Sequence, residues 1–189
     1  MKTKWLRLGA VLFAALPVLA LPGRAADADP GAPGTGWKTF TDPEGRFSIL
    51  MPAAPEMQNG SGPQDAARPG YTSRLYLAKE NNNLYIAGFM LYDSSVYDPS
   101  ATPEKIEAEL AADRDNFNRE LDAHVTSQQR RKIGDYPALE FTSSSEEADF
   151  SGLMVLVGAR CYVAVATYHT SHAPPEVGRF FSSFKLLSP

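Results

Sequence analysis

Apolar and polar positions alternate along most of the chain, and this spacing predicts a series of short β-strands from residue 37 onward. A first hairpin is predicted to join residues 37–41 to residues 47–51, because Asp42-Pro43-Glu44-Gly45 is typical turn chemistry. A second hairpin joins residues 71–79 to residues 84–92 through an asparagine-rich turn, since Asn tolerates positive φ.

The segment between these two hairpins is polar. Residues 56–69 contain several Gly and Pro breaks and lack an apolar alternation. They therefore predict a long surface loop.

Two later segments have helical spacing. The first begins at Thr102-Pro103-Glu104, which offers a capping hydroxyl, a proline in the first turn and a carboxylate near the positive helix end. It runs to about Leu121, with acids and arginines expected on the face opposite its apolar stripe. That stripe consists of Ile106, Leu110, Phe117 and Leu121. The second helix begins at Pro174-Pro175-Glu176 and buries Val177, Phe180, Phe181 and Phe184.

Four strands are predicted between the two helices, at residues 125–133, 136–143, 150–157 and 160–168. The first is polar and suits a sheet edge, whereas the last two are apolar on both faces and suit the sheet centre. A strand that is apolar on both faces needs cover on both sides. The pattern therefore predicts a single α+β domain, an α/β/α sandwich with one mainly antiparallel sheet and two principal helices.

The residues before the first strand predict an export signal. Lys2, Lys4 and Arg7 precede an apolar stretch over residues 8–21, and small residues follow it. Cleavage after Ala25 fits, and cleavage after Ala28 remains open. We expect a signal peptide at 1–25, a flexible Pro- and Gly-rich linker at 26–36 and one folded domain at 37–189. The protein is then exported, periplasmic or secreted, with no membrane insertion after signal cleavage.

Charge and cysteine content narrow the function classes. Removing residues 1–25 takes away four of the 18 basic residues and none of the 22 acidic ones, which leaves a net charge near −8. Such a domain repels nucleic acid and anionic lipid. Cys161 is the only cysteine, so an intramolecular disulfide is excluded, and its apolar strand predicts a buried, inert thiol.

Two stretches of the chain resemble the PsbP-type fold family, which includes the DcrB-like and LpqN-like exported bacterial proteins. One is Gly45-Arg46-Phe47-Ser48-Ile49-Leu50-Met51-Pro52, and the other is Phe180-Phe181-Ser182-Ser183-Phe184-Lys185-Leu186. The resemblance covers about residues 37–187. It implies a domain without enzyme activity that serves as an accessory or partner-binding module. It assigns no functional residue.

Histidines and acids at one end of the predicted sheet form a candidate metal site. His169 and His172 follow the last central strand, and the loop with Glu146, Glu147 and Asp149 is expected at the same end. Imidazole nitrogens and carboxylate oxygens suit a divalent cation such as zinc. Two surface histidines beside a solvated acidic loop explain the same pattern.

Two further groups of residues leave alternatives open. Arg130-Arg131-Lys132 could contact an acidic partner, or its charge could protect an edge strand from aggregation. Four tyrosines could line a small-ligand pocket or simply pack in the core. They are Tyr76, Tyr85, Tyr162 and Tyr168.

The absence of a Gly-x-Ser-x-Gly elbow and of a phosphate loop points away from an enzyme. The sequence therefore favours an exported non-catalytic domain that binds an unknown protein partner in the cell envelope. A metal-binding protein or metal-dependent enzyme and a small-ligand carrier are the alternatives.

Overall fold

The computed structural model describes residues 36–52, 54–62, 70–93, 98, 100–169 and 173–188. The predicted signal peptide and nearly all of the predicted linker lie outside the described residues. Ten strands and two helices follow one another in this part of the chain. They are β1 (Trp37–Asp42), β2 (Phe47–Pro52), β3 (Glu56–Gly62), β4 (Tyr71–Glu80), β5 (Asn83–Tyr92), α1 (Pro103–Glu120), β6 (His124–Ile133), β7 (Tyr136–Ser144), β8 (Asp149–Val157), β9 (Arg160–Tyr168), α2 (Pro175–Ser182) and β10 (Lys185–Leu186).

Seven of these strands form one antiparallel sheet in the order β3-β4-β5-β9-β8-β7-β6. The strand β9 lies in the middle and β6 lies at one edge, as their apolar and polar patterns predict. Tight hairpins set the register. Asn81 and Asn82 have φ of 50° and 64°, which confirms the predicted role of asparagine in the β4–β5 turn.

Each face of the seven-stranded sheet carries its own apolar cluster. On β9, Val163 and Val165 point toward α1, whereas Ala164 and Ala166 point toward α2 and β2. The predicted mixed α+β class, with two helices and mostly antiparallel sheets, is confirmed.

The first hairpin does not join the large sheet. The strands β1, β2 and β10 form a separate three-stranded sheet, so the expectation of one sheet was wrong. Phe47, Ile49 and Met51 on β2 are fully buried and pack with α2 against the large sheet. This hairpin is therefore a covering layer, because its apolar side chains meet the face of the sheet and not its edge.

The predicted loop at 56–69 is also wrong over its first half. Glu56–Gly62 is the edge strand β3, paired antiparallel with β4. Main-chain hydrogen bonds to β4 stabilise this strand without an apolar alternation, which is why the sequence pattern missed it. Residues 63–69 lie outside the described residues. None of the helices in the described part of the chain combines the length and the apolar character that crossing a bilayer requires.

Candidate functional site

The structure brings together only some residues of the predicted metal site. The loop between β7 and β8 is held by Ser145, whose Oγ accepts hydrogen bonds from the backbone N–H groups of Glu147 and Ala148 at 3.3 and 3.2 Å. His169 reaches this loop, and its Nδ1 lies 2.8 Å from the backbone oxygen of Glu147. Because a carbonyl oxygen only accepts, Nδ1 carries the proton and donates it.

The acidic side chains of this loop do not gather around His169. Glu146 and Glu147 are exposed and Asp149 is partly exposed. Among the described residues, no group of three or more His, Cys, Asp or Glu side chains is arranged to hold a metal ion. His172 lies outside the described residues. The metal hypothesis therefore stays a prediction, and a zinc-induced rise in melting temperature that His169→Ala abolishes would support it.

A groove opens at the opposite end of the large sheet, between the start of α1 and the β6–β7 hairpin. Its volume is about 510 Å³. It is lined by Ala101, Pro103, Ile106, Glu107, Arg130, Arg131, Lys132, Asp135, Tyr136 and Pro137. The basic run of β6 is thus one wall of a recess whose other wall is a helix. We call it the α1–β6 groove.

Strand register divides the basic run between two faces. Arg130 pairs with Leu139, whose side chain belongs to the α1 face, and Arg131 pairs with Ala138, whose side chain belongs to the α2 face. Because side chains alternate along a strand, Arg130 and Lys132 share the α1 face. Arg131 instead forms an ion pair with Glu140.

The two cations of the α1 face are exposed. The side chain of Arg130 is 76% exposed and pairs with Glu107 of α1 at 2.9 Å, across the α1–β6 groove. Lys132 is exposed and has no ion-pair partner among the described residues. Tyr136 adds an aromatic ring that is 42% exposed. Cations beside exposed apolar surface can bind a carboxylate-bearing chain.

The sequence singled out the basic run but not this recess. The strand pattern identified β6 as an edge strand, which made protection from aggregation a sufficient explanation for its charge. Pro103 and Ile106 precede Arg130 by more than 20 residues, and no local signal places them against β6. A basic run in an acidic domain was the only signal available.

A second polar cluster holds the β1–β2 turn on the large sheet. Asp42 accepts hydrogen bonds from the Gly45 N–H at 2.8 Å and from the Tyr76 hydroxyl at 2.9 Å. Burial, and then the Asp42 carboxylate, raise the pKa of Tyr76. Arg160 donates to the Gly45 carbonyl at 3.1 Å and lies 4.7 Å from the centre of the Phe89 ring. This cluster attaches the turn at the start of the Gly45–Pro52 stretch to the large sheet.

The groups with the largest pKa shifts are shielded beneath α1. Asp113 is 3% exposed and Cys161 is fully buried, and its Sγ lies 4.0 Å from Asp113 Oδ2. Burial first, and then the neighbouring Asp113, raise the pKa of the Cys161 thiol well above its usual value. The thiol is therefore buried, as predicted, and burial favours its neutral and less nucleophilic form. The expectation that the acids of α1 lie opposite its apolar stripe was wrong for Asp113.

The four tyrosines of the ligand-pocket hypothesis belong to the α2-side core. Tyr85 packs on Trp37 and Phe180, with ring centroids 4.9 and 5.4 Å apart. Tyr168 shares a 2.9 Å hydrogen bond with Ser151. All four side chains are less than 10% exposed. They give the ligand-carrier alternative no support.

Comparison with known proteins identifies the fold. The chain is similar to cyanobacterial PsbP (CyanoP) from Synechocystis sp. PCC 6803, known from its solution structure. The TM-score is 0.53 at 10% sequence identity, and the match covers 87% of this chain and 99% of that chain. No protein-family model and no curated protein matches. The similarity shows a PsbP-like fold and confirms the resemblance at the level of the fold.

Proposed function

We propose that this protein is an exported, non-catalytic binding domain whose α1–β6 groove takes an acidic segment of a protein partner in the cell envelope. The observation that carries this proposal is the groove itself. It combines two exposed cations of one sheet face, Arg130 and Lys132, with the exposed ring of Tyr136.

The charge of the groove sets the class of the partner. The rest of the domain is acidic, so a long polyanion such as nucleic acid meets repulsion beyond the groove. A short acidic segment places its carboxylates only near Arg130 and Lys132. Such rim contacts act chiefly on the association rate and on specificity.

Burial of the most perturbed groups supports a binding role over a catalytic one. A general base or nucleophile must reach its substrate. Asp113 and Cys161 lie within the α1 interface, where each is at most 3% exposed. The α1–β6 groove presents paired or solvated charges.

Matched charge neutralisations inside and outside the groove test the proposed function. The probe is a fluorescent twelve-residue peptide of alternating Glu and Tyr, and its affinity is measured by anisotropy on the chain starting at residue 26. We expect Arg130→Gln and Lys132→Gln each to weaken binding about 1.4- to fivefold, as exposed ion pairs contribute roughly 0.2–1 kcal/mol. Added salt should weaken the wild type most.

The control is Lys79→Gln, which removes a positive charge from an exposed position of β4 that does not line the groove. It should bind the peptide like the wild type. Equal losses in all three variants would reduce the effect to net charge alone and refute a groove-specific function. So would an unmeasurable affinity of the wild type for the peptide at low salt.

A further inference from the structure

A carboxyl group interrupts the apolar stripe with which α1 contacts the large sheet. Leu110, Asp113 and Phe117 follow one another at helical spacing, and each is at most 3% exposed. Asp113 therefore occupies a core position of α1 in the apolar cluster between helix and sheet.

The surroundings of Asp113 contain few groups that could stabilise a negative charge. Its Oδ1 is buried without a hydrogen-bond partner, and its Oδ2 has the weak thiol donor Cys161 at 4.0 Å. The titratable groups nearby are Glu109 on α1, Cys161 on β9, and Tyr92 and Tyr71 on β5 and β4. Lys105 is the cation that acts on Glu109, and no cation pairs with Asp113 among the described residues.

An ionised carboxylate in such a position is costly, because burial removes its water and no cation replaces it. The neutral form is tolerated. Burial first, and then Glu109, raise the pKa of Asp113 well above its usual value. The docked carboxyl therefore keeps its proton to a higher pH than the same carboxyl does in water.

Other polar groups in this interface are also unsatisfied. Both amide atoms of Asn118 on α1 and the hydroxyl of Ser143 on β7 are buried without a hydrogen-bond partner in the described structure. Water would satisfy them if the helix lifted. Aromatic contacts pack both faces of the sheet, with Phe117 against Phe141 and Phe150 on the α1 side and Phe180 against Tyr85 and Phe181 on the α2 side. Because four unsatisfied side-chain atoms lie on α1 and β7, opening of the α1 interface lets them form hydrogen bonds with water.

We propose that Asp113 acts as a proton-controlled latch, which keeps α1 docked while its carboxyl is neutral and releases the helix when the carboxyl ionises. Since Pro103, Ile106 and Glu107 of α1 form one wall of the α1–β6 groove, release of the helix changes that groove. The latch acts through the α1 interface and does not depend on what the groove binds.

The direction of the pH effect follows from proton binding. The docked state binds the Asp113 proton more tightly than the released state, so docking is favoured at low pH. From about pH 4 upward, the released carboxyl ionises while the docked one does not. Each further pH unit then favours release about tenfold until the docked carboxyl itself ionises.

Cys161 reports directly on this opening, because it lies under Asp113 and is the only cysteine. Its labelling rate with a thiol reagent is measured from pH 5 to pH 8 on the chain starting at residue 26. Dividing by the rate for the urea-unfolded chain at the same pH removes the titration of the thiol. We expect this ratio to rise with pH in the wild type, by at most tenfold per pH unit, and to stay flat in Asp113→Asn.

The matched control is Asp115→Asn on the same helix, whose side chain is 56% exposed and paired with Arg114. In Asp115→Asn, the labelling ratio of Cys161 should rise with pH as it does in the wild type. If Asp113→Asn does not fold, Asp113→Leu removes the carboxyl with an apolar side chain. Identical profiles for the wild type and the neutral variant would overturn the latch. The latch would also be overturned if the labelling rate of Cys161 increased with urea as steeply as global unfolding does. Cys161 would then be exposed only by unfolding of the whole domain.

Discussion

Asp42 is 2% exposed, and donors from three parts of the chain surround its carboxylate. They are the Gly45 N–H within its own turn, the Tyr76 hydroxyl on β4 and the Arg74 guanidinium, which lies 3.8 Å away. A turn formed by local residues thereby becomes attached to a distant strand. The contacts also explain Gly45, where a Cβ would lie 2.7 Å from Asp42 Oδ2 and 2.8 Å from the Phe89 ring.

Asp42→Ala tests this attachment. The substitution leaves the Gly45 N–H and the Tyr76 hydroxyl buried without their acceptor, and an unsatisfied buried group costs roughly 1–3 kcal/mol. We expect the free energy of unfolding in urea to fall by about 2–4 kcal/mol. The exposed Asp115→Ala should change it by no more than about 0.5 kcal/mol. A small effect of Asp42→Ala would show that the turn docks through Phe47 and its apolar neighbours alone.

At the scale of the elements, the two helices differ in what they bury. The helix α2 lacks a side-chain cap on its first turn and is docked by Val177, Phe180 and Phe181, all nearly fully buried. The helix α1 begins with the Thr102 cap but buries Asp113 among its apolar contacts. The helix with the weaker local signals thus buries only apolar side chains, which indicates that packing dominates over propensity in α2.

Two Gly→Ala substitutions of opposite sign test this view of the elements. A Cβ at Gly178 in α2 meets no atom within 4 Å, so Gly178→Ala should raise the free energy of unfolding by about 0.5–1 kcal/mol through helix propensity. A Cβ at Gly152 in β8 would lie 2.3 Å from the Phe141 ring, so Gly152→Ala should lower it by about 1–3 kcal/mol. Urea unfolding measures both. A loss of stability in Gly178→Ala would contradict the open space beside α2.

At the scale of the whole molecule, different layers pack on the two faces of the seven-stranded sheet. One face carries α1 and the buried carboxyl, and the other carries α2 with the β1–β2–β10 sheet. The α1–β6 groove and the end with His169 lie at opposite ends of the large sheet. The proposed binding and the proposed latch both involve α1. The α2 side is an apolar core that neither proposal involves.

Export is a property of the whole chain, and its expected signal is N-terminal. We expect fractionation of bacterial cells that express residues 1–189 to place the protein outside the cytoplasm, with a mature N-terminus after Ala25 or Ala28. Leu16→Arg puts a charge into the apolar segment and should retain the full-length protein in the cytoplasm. Ala32→Arg, in the predicted linker, is the control and should be exported. Cytoplasmic full-length protein in the wild type would contradict the expected signal.

Features that depend on neighbouring residues could be predicted from the sequence. These features are encoded by residues close together in sequence. They are the β4–β5 and β8–β9 hairpins, the asparagine turn, the start of α1 at Thr102 and the apolar pattern on both faces of β9. Their signals are side-chain period, turn chemistry and capping, which act over a few residues. The likeness to the PsbP-type fold also rests on such local stretches, and the comparison confirms it at the level of the fold.

Which elements pack together could be seen only in the folded chain. The separate β1–β2–β10 sheet, the edge strand β3 and the α1–β6 groove depend on contacts between residues far apart in sequence, which no local period encodes. Asp113 illustrates the reason most clearly. Its polarity predicted a solvated helix face, but packing of Leu110 and Phe117 on the sheet brought it inside. Burial is a collective property of the packed chain, and it gives Asp113 its chemistry.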